Sequence, residues 1–246
     1  MNWASQCAAV LPCLNEAASI GSVIRGVRNY VSAIFVVDDG SRDGTAAVAE
    51  RAGAEVLRHK TSQGKGAALR TGWRHARDRQ FQWALSLDGD GQHAPEDIPL
   101  FFDRAEHSGA SLVIGNRMTD SRHMPWLRRL VNRWMSRRLS QAAGQSVPDS
   151  QCGFRLMRLD RWAPLALHTT HFEVESEVLL AFIRAGFAVE FVPIRVIYKT
   201  EQSKIHPIKD TLRWFRWWKM QKSHINDRID DQTDDKTKPK QSIQQF

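Results

Sequence analysis

The feature that most constrains this chain is an alternation along its first half. Short apolar runs at 8–11, 34–37 and 112–114, and β-rich runs at 55–57 and 83–87 broken only by Glu55 and Ser86, are separated by amphipathic segments. Apolar runs without polar alternation suit strands covered on both faces, and strands separated by helices suit a parallel sheet. The expected fold class is α/β: a mostly parallel, Rossmann-like sheet with helices on both faces. Asn15 is placed to cap a helix running through Ile20, Val23, Ile24 and Val27. Further helices are expected from about Asp43, over 64–79, and from Pro95, a favoured first-turn residue. The second half gives an amphipathic basic segment at 122–141, a strand-like run at 154–159, a helix over 172–185 and an extended run at 188–197. A Trp-rich basic segment follows at 207–222, then a polar stretch expected to be disordered.

Composition narrows the classes. With 246 residues, 42% of them hydrophobic, the chain can bury a sizeable core. Cys7, Cys13 and Cys152 form no CxxC pair, which excludes a disulfide scaffold or zinc ribbon and fits a reduced, cytosolic compartment. No run approaches the ~18–20 apolar residues of a membrane-spanning helix, and no signal-peptide pattern opens the chain. The net charge is +8, and it is local. Residues 122–138 hold six Arg and no acid, and residues 204–222 hold six Lys/Arg against Asp210. Such patches meet an anionic surface, either lipid or nucleic acid, or are simply solvated helix faces.

Two apolar runs end in clustered acids, Asp38-Asp39 and Asp88-Gly89-Asp90. Ligands bind at the carboxyl ends of strands in an open parallel sheet. Carboxylates gathered there repel unless a cation sits between them, and Mg²⁺ or Mn²⁺ favours such oxygen ligands while keeping positions open for phosphate. Gly89 would allow the backbone to approach a bulky ligand closely.

Four motifs occur in order: Pro12-Cys13-Leu14-Asn15-Glu16; the run Val37 to Thr45 containing Asp38-Asp39-Gly40-Ser41; Gly64-Lys65-Gly66; and Leu87-Asp88-Gly89-Asp90-Gly91-Gln92-His93. The set resembles the GT-A domain of family 2 glycosyltransferases. Gly115-Asn116-Arg117 and the run Asp149 to Arg155 make it similar to the dolichyl-phosphate mannosyltransferase and bacterial polyprenyl-phosphate glycosyltransferase branch, over about residues 4–206. The resemblance implies an inverting, metal-dependent transferase with a nucleotide-sugar donor such as GDP-mannose or UDP-glucose. Pro12, Glu16 and Asp39 match positions that hold base and ribose, with Asn15 and Asp38 beside them. Asp88, Asp90 and Gln92 match the set that holds Mg²⁺ or Mn²⁺. Arg117 matches an arginine that meets phosphate. Ser203 and Lys204 match the end of a loop closing over the donor diphosphate, although Tyr198 and Glu201 depart from that loop's pattern. Lys65 would meet the donor or face solvent. Asp90, Arg117 and Lys204 are the expected catalytic residues. Arg117, Arg128, Arg129, Arg133, Asp149, Ser150 and Arg155 form the expected acceptor-phosphate side.

The chemistry then depends on the acceptor. A polyprenyl phosphate is already anionic, with a second pKa near 6 by analogy with other phosphate monoesters, and needs no general base. A hydroxyl acceptor on a saccharide or glycolipid needs one, and Asp149, Glu173 and Glu175 are the candidates, unless the two glutamates serve ion pairs or a helix start. Trp126, Leu127, Leu130, Val131, Trp134 and Leu139 share a helical stripe flanked by Arg128, Arg129, Arg133 and Arg137. This stripe and the Trp-rich segment would either lie in an anionic membrane surface or pack onto the core. The expected organisation is a GT-A domain at 1–206 whose segment 122–144 faces acceptor or membrane, an interfacial helix at 207–223, and a disordered tail at 224–246. Attachment would be peripheral, on the cytoplasmic face, with a membrane-protein partner as a further expectation. A catalytically idle scaffold would have no need of Asp88, Asp90 and Lys204. A nucleic-acid binder would have no use for acidic strand tips, and no RNA- or DNA-binding motif is present.

Overall fold

The computed structural model describes residues 1–122, 124–197 and 210–221. A turn of helix, α1 (Trp3–Gln6), leads into β1 (Cys7–Cys13), α2 (Ile20–Arg28), β2 (Ala33–Asp38), α3 (Thr45–Arg51), β3 (Glu55–Arg58), α4 (Lys65–Asp78) and β4 (Trp83–Ser86). A 3₁₀ turn at Pro95–Asp97 opens α5 (Ile98–Ser108), followed by β5 (Leu112–Asn116), α6 (Trp126–Ala143), β6 (Arg155–Arg158), α7 (Leu159–Trp162), α8 (Val174–Arg184) and β7 (Val189–Pro193). A further helix, α9, covers 210–221. The chain divides into two units, Met1–Gln202 and Ser203–Phe246.

The first unit is built on a seven-stranded sheet of order β3-β2-β1-β4-β6-β5-β7. The β1–β2, β1–β4, β2–β3 and β5–β7 pairs are parallel, and β6 runs antiparallel to both β4 and β5. The mostly parallel α/β sheet expected from the apolar runs is present, with the 154–159 run as its reversed strand. Residues Cys7 to Leu11 and all of β4 are buried, as strands covered on both faces must be. Edge strand β3 is exposed at Glu55 and Arg58, charges that discourage pairing with another chain.

One local expectation fails. Asn15 does not cap α2, which begins at Ile20. It sits in the left-handed region at φ 53° and ties two loops together: its N–H donates to Ser41 Oγ and its Oδ1 accepts from Arg42 N–H, both at 2.8 Å. That conformation is open to Asn because its short side chain bonds locally. In α9, Trp214 and Trp217 are buried, and Trp214 stacks on Trp218 with ring centroids 5.5 Å apart. The exposed apolar side chains of α9 are Leu212, Phe215 and Met220. The closing-loop residues Tyr198, Glu201, Ser203 and Lys204, and the tail at 224–246, lie outside the described residues.

Helix α4 packs against β1 and β2 through Gly72. A Cβ there would collide with Val10 Cγ1 and stand 3.1 Å from Val37 Cγ2. Both partners are β-branched and stiff. Gly72→Ala should therefore destabilise the protein by about 1–2 kcal/mol, overpacking outweighing the ~1 kcal/mol that Ala gains in helix propensity. Urea unfolding checks this, and an unchanged or higher midpoint would contradict it.

Candidate active site

Strand order decides where a ligand can sit. The sheet grows from β1 in opposite directions, to β2 on one side and β4 on the other. The C-terminal ends of these parallel strands share one edge, and a crevice opens beside β1 at that reversal. Cys13 pairs in register with Asp38, and Asp39 N–H donates to Cys13 O at 2.8 Å. On the β4 side, Ser19 Oγ donates to Gly89 O at 2.7 Å. A Cβ on Gly89 would lie 2.5 Å from Cys13 Sγ and 3.5 Å from Glu16 Cγ. Gly89 thus lets the chain pack on itself; the space expected for a ligand at that glycine is taken by Cys13. Pro12 and Glu16 are partly exposed beside this turn.

The two acids ending β2 do different work. Asp39 is 3% exposed and spent within the chain. Its Oδ1 pairs with His59 Nδ1 at 2.6 Å and accepts Gln63 N–H at 2.9 Å; its Oδ2 accepts Ser62 Oγ–H at 2.7 Å and Gly64 N–H at 2.9 Å. That uses the four acceptor positions of a carboxylate. Burial would raise its pKa, but these hydrogen bonds, led by Gln63, hold it below the usual range. The expected ribose contact therefore does not suit Asp39. Asp38 accepts Ser41 N–H on Oδ1 at 2.9 Å, and among the described residues its second oxygen carries no hydrogen bond. Asp38 is the acid of the pair left with an acceptor to offer.

At the β4 tip, Asp90 is half-buried and its Oδ1 accepts Gln92 N–H at 2.9 Å. Asp88 Oδ1 is paired to Lys65 Nζ at 2.6 Å, and Lys65 also reaches Glu175 Oε1 at 2.7 Å. Burial would raise the Asp88 carboxyl, but Lys65 outweighs it and holds the pKa at about 2. Burial works against the Lys65 ammonium, yet Asp88 and Glu175 lift its pKa above the usual lysine value. Buried His93 supports the turn, its Nδ1 accepting Asp88 N–H at 3.3 Å; burial lowers its pKa and keeps the ring neutral. Among the described residues, no group of three or more His, Cys, Asp or Glu is placed to hold a metal ion by itself. Asp88, Asp90 and the Gln92 amide oxygen are an open set of hard oxygen donors, which suits Mg²⁺ or Mn²⁺ completed by phosphate oxygens. The expected ligand set fits in donor type, with one Asp88 oxygen already engaged.

The glycines of Gly64-Lys65-Gly66 do not cradle phosphate. A Cβ on Gly64 would collide with Thr170 O, and that carbonyl accepts Ala67 N–H at 3.2 Å. The start of α4 is filled by the 168–171 loop, which Glu177 holds through His168 N–H and Thr169 N–H.

The second cluster surrounds Asp149, which has no exposed surface. Arg117 grips it by a two-pronged pair, Nε to Oδ2 at 2.8 Å and Nη2 to Oδ1 at 2.9 Å, and adds its own N–H at 3.1 Å. Asn132 of α6 donates to Oδ1 at 2.9 Å. Burial would raise the Asp149 carboxyl, but Arg117 holds it at about 2. A carboxylate so stabilised is a poor proton acceptor, so Asp149 is removed as a base. Arg117 keeps Nη1 without a hydrogen bond among the described residues, and that is the edge it can turn to phosphate. Ser150 and Arg155 are corrections. Ser150 is fully buried and bonds Ser136 Oγ at 3.1 Å. Arg155 spends Nε, Nη1 and Nη2 on the carbonyls of Cys152, Glu175 and Ser150. Both fasten the 149–155 loop from buried positions. Of the arginines expected on α6, Arg133 is exposed and Arg128 and Arg129 half-buried. The reach of Asn132 and the Lys65–Glu175 pair were missed in the sequence. The only hint was Asn132 and Ser136, spaced i, i+4 away from the basic face.

A mixed α/β sheet with acids gathered at one strand edge fits a GT-A-type fold. The family model for glycosyl transferase family 2 matches residues 8–161, and the chain belongs to that family and is a glycosyltransferase. It is 33% identical over 205 residues to glycosyltransferase AglJ of Haloferax volcanii, covering 81% of this chain and 66% of that protein. It is 31% identical over 199 residues to the polyprenol monophosphomannose synthase of Mycolicibacterium smegmatis, covering 75% of each. Among solved structures, glucosyl-3-phosphoglycerate synthase from Mycobacterium tuberculosis shares the fold, with a TM-score of 0.67 and 23% identity over 86% of this chain and 75% of that one.

The Arg117–Asp149 pair yields a pH signature. The folded pKa of Asp149 lies below its unfolded value, so its stabilisation is present above pH ~4 and is lost as pH falls towards 2, worth ~2 kcal/mol in all. Asp149→Asn should lose about 3–5 kcal/mol at neutral pH by leaving Arg117 buried and unpaired, and should flatten the acid limb of the stability profile. An acid limb identical to that of the parent protein would contradict this.

Proposed function

We propose that this protein transfers a sugar from a nucleotide-sugar donor to a polyprenyl phosphate at the cytoplasmic face of a membrane. The observation that carries the reading is the commitment of the acids. Asp149 is held by Arg117, and Glu175 by Lys65. Two of the three candidate bases are thereby spent, which suits an acceptor that arrives anionic and needs no base. The polyprenol monophosphomannose synthase among the relatives carries such an acceptor in its name.

In this mechanism Pro12, Glu16 and Asp38 hold the nucleoside. Asp90, Asp88 and Gln92 would hold a divalent cation. Bound there, the cation supplies positive charge against the departing diphosphate. The M. tuberculosis synthase of the same fold was solved with Mn²⁺ and UDP. Arg117 Nη1 orients the acceptor phosphate. A phosphate oxygen of the acceptor forms the new bond to the anomeric carbon, and the nucleoside diphosphate leaves with the electron pair of the broken bond.

Membrane contact is assigned to the start of α6. Trp126, Leu127 and Leu130 are exposed, at 70%, 47% and 58%, while Asn132 and Ser136 are buried. Met135 and Leu139 of the same helix are buried, so only its first turns offer apolar side chains; set among arginines, these suit an anionic lipid surface, where each Arg contributes ~1 kcal/mol. Among the described residues, no helix is long and apolar enough to cross a membrane.

Asp90→Ala should lower transfer at least about 100-fold with the fold retained. Radiolabelled GDP-mannose or UDP-glucose with undecaprenyl phosphate should give label extractable into organic solvent. Label found only on water-soluble saccharide would defeat the phosphate-acceptor reading. Replacing Trp126, Leu127 and Leu130 by Ser should release the protein from anionic liposomes, and unchanged co-sedimentation would remove α6 as the contact.

A further inference from the structure

Two acids share one ammonium at the rim of the crevice. Lys65 opens α4, and its Nζ stands 2.6 Å from Asp88 Oδ1 and 2.7 Å from Glu175 Oε1. Glu175 lies in the first turn of α8 and is 2% exposed; among the described residues its Oε2 has no hydrogen-bond partner. The Phe172 ring centroid is 5.4 Å from the ammonium. Opposite, a Cβ on Gly153 would come within 2.9 Å of both Lys65 Nζ and Asp88 Oδ2. The ammonium is therefore confined by α8, the 149–155 loop and the β4 tip together. A solvated lysine would have none of these walls.

We infer that Glu175 and Lys65 are a positioning pair that sets the divalent-cation affinity of the Asp88-Gly89-Asp90 turn. This rests on the proposed metal role of that turn. Lys65 takes one oxygen of Asp88, so Asp88 presents only Oδ2 and carries a partly cancelled charge. Glu175 competes with Asp88 for Lys65 and thereby weakens that cancellation. Three carboxylates and one ammonium give the cluster a formal charge of −2, which a divalent cation balances. Without Glu175 the ammonium belongs to Asp88 alone, and the turn should hold a cation less well. Without Lys65 both Asp88 oxygens are released and two acids lose their counter-charge, so the turn should hold a cation better. Glu175 acts only through Lys65, and Lys65 only through Asp88.

The test is Mn²⁺ binding to the full chain without nucleotide, with free Mn²⁺ counted by electron paramagnetic resonance and folding checked by thermal melting. Glu175→Gln should weaken Mn²⁺ binding by about tenfold. Lys65→Met should tighten it. In the Lys65→Met background, Glu175→Gln should have no further effect; a role in packing alone would not produce that loss of effect. Glu175→Asp, which keeps the charge, should recover most of the affinity lost in Glu175→Gln, and it decides the matter if Lys65→Met does not fold. An unchanged affinity in Glu175→Gln, or an equal effect in both backgrounds, overturns the proposal while leaving the metal reading standing. Parent protein that takes up no Mn²⁺, or takes it up equally well after Asp90→Ala, defeats the metal reading itself and this proposal with it.

Discussion

Carboxylates gathered at one edge of a parallel sheet repel each other, by about 4 kcal/mol for two unit charges 4 Å apart near a protein surface. How each acid is compensated shapes the rest of the structure. Asp39 is neutralised by N–H and O–H groups, and in receiving them it folds the 59–64 segment around itself. Asp88 is compensated by Lys65, and Asp149 by Arg117. What these arrangements leave uncommitted, the second oxygens of Asp38 and Asp90, is what the crevice can offer a ligand. A diphosphate with its cation brings the charges that the remaining acids require.

Space is treated as economically as charge. The glycines at 72, 89 and 153 do not make room for ligand; each is a place where one piece of chain lies on another. Gly72 seats α4 on the sheet, Gly89 seats the acidic turn on Cys13, and Gly153 lets its loop cross over the Asp88–Lys65 pair. A site fixed by close packing keeps its donors oriented before a ligand arrives, which lowers the cost of binding. Helix α6 links this rigid centre to the outside. Its inward side joins Asn132 and Ser136, which reach the Asp149 loop, to the buried Met135 and Leu139, while Trp126, Leu127 and Leu130 at its start face outward.

The alternation of apolar runs made the sheet and most helices legible, because burial on both faces demands continuous hydrophobicity whatever the neighbours are. Helix α6 was legible for the same reason, through its periodicity. Asp88 and Asp90 could be singled out because two carboxylates crowd at the end of an apolar run, an arrangement costly without a ligand, whereas Gln92 entered only through the resemblance to the family's motif. Asn15 was misread as a cap, since capping depends on where a helix starts, and the loop contacts with Ser41 and Arg42 decided that start.

By itself the sequence determined the architecture and the chemical type of the site: strands in order, acids at their tips, cationic and aromatic side chains on amphipathic segments. These follow from local period and composition, which the chain carries with it. Only the tertiary structure decided which acid is free. Asp38 and Asp39 are neighbours of the same residue type, and nothing local distinguishes them. The difference comes from the 59–64 segment, some twenty residues further along. Likewise Arg117 and Arg155 read alike, yet one pairs with a carboxylate and keeps an open edge while the other is absorbed by three carbonyls. Charge and hydrogen-bonding capacity are local properties of a side chain, whereas the partners that use them up are set by contacts between distant segments.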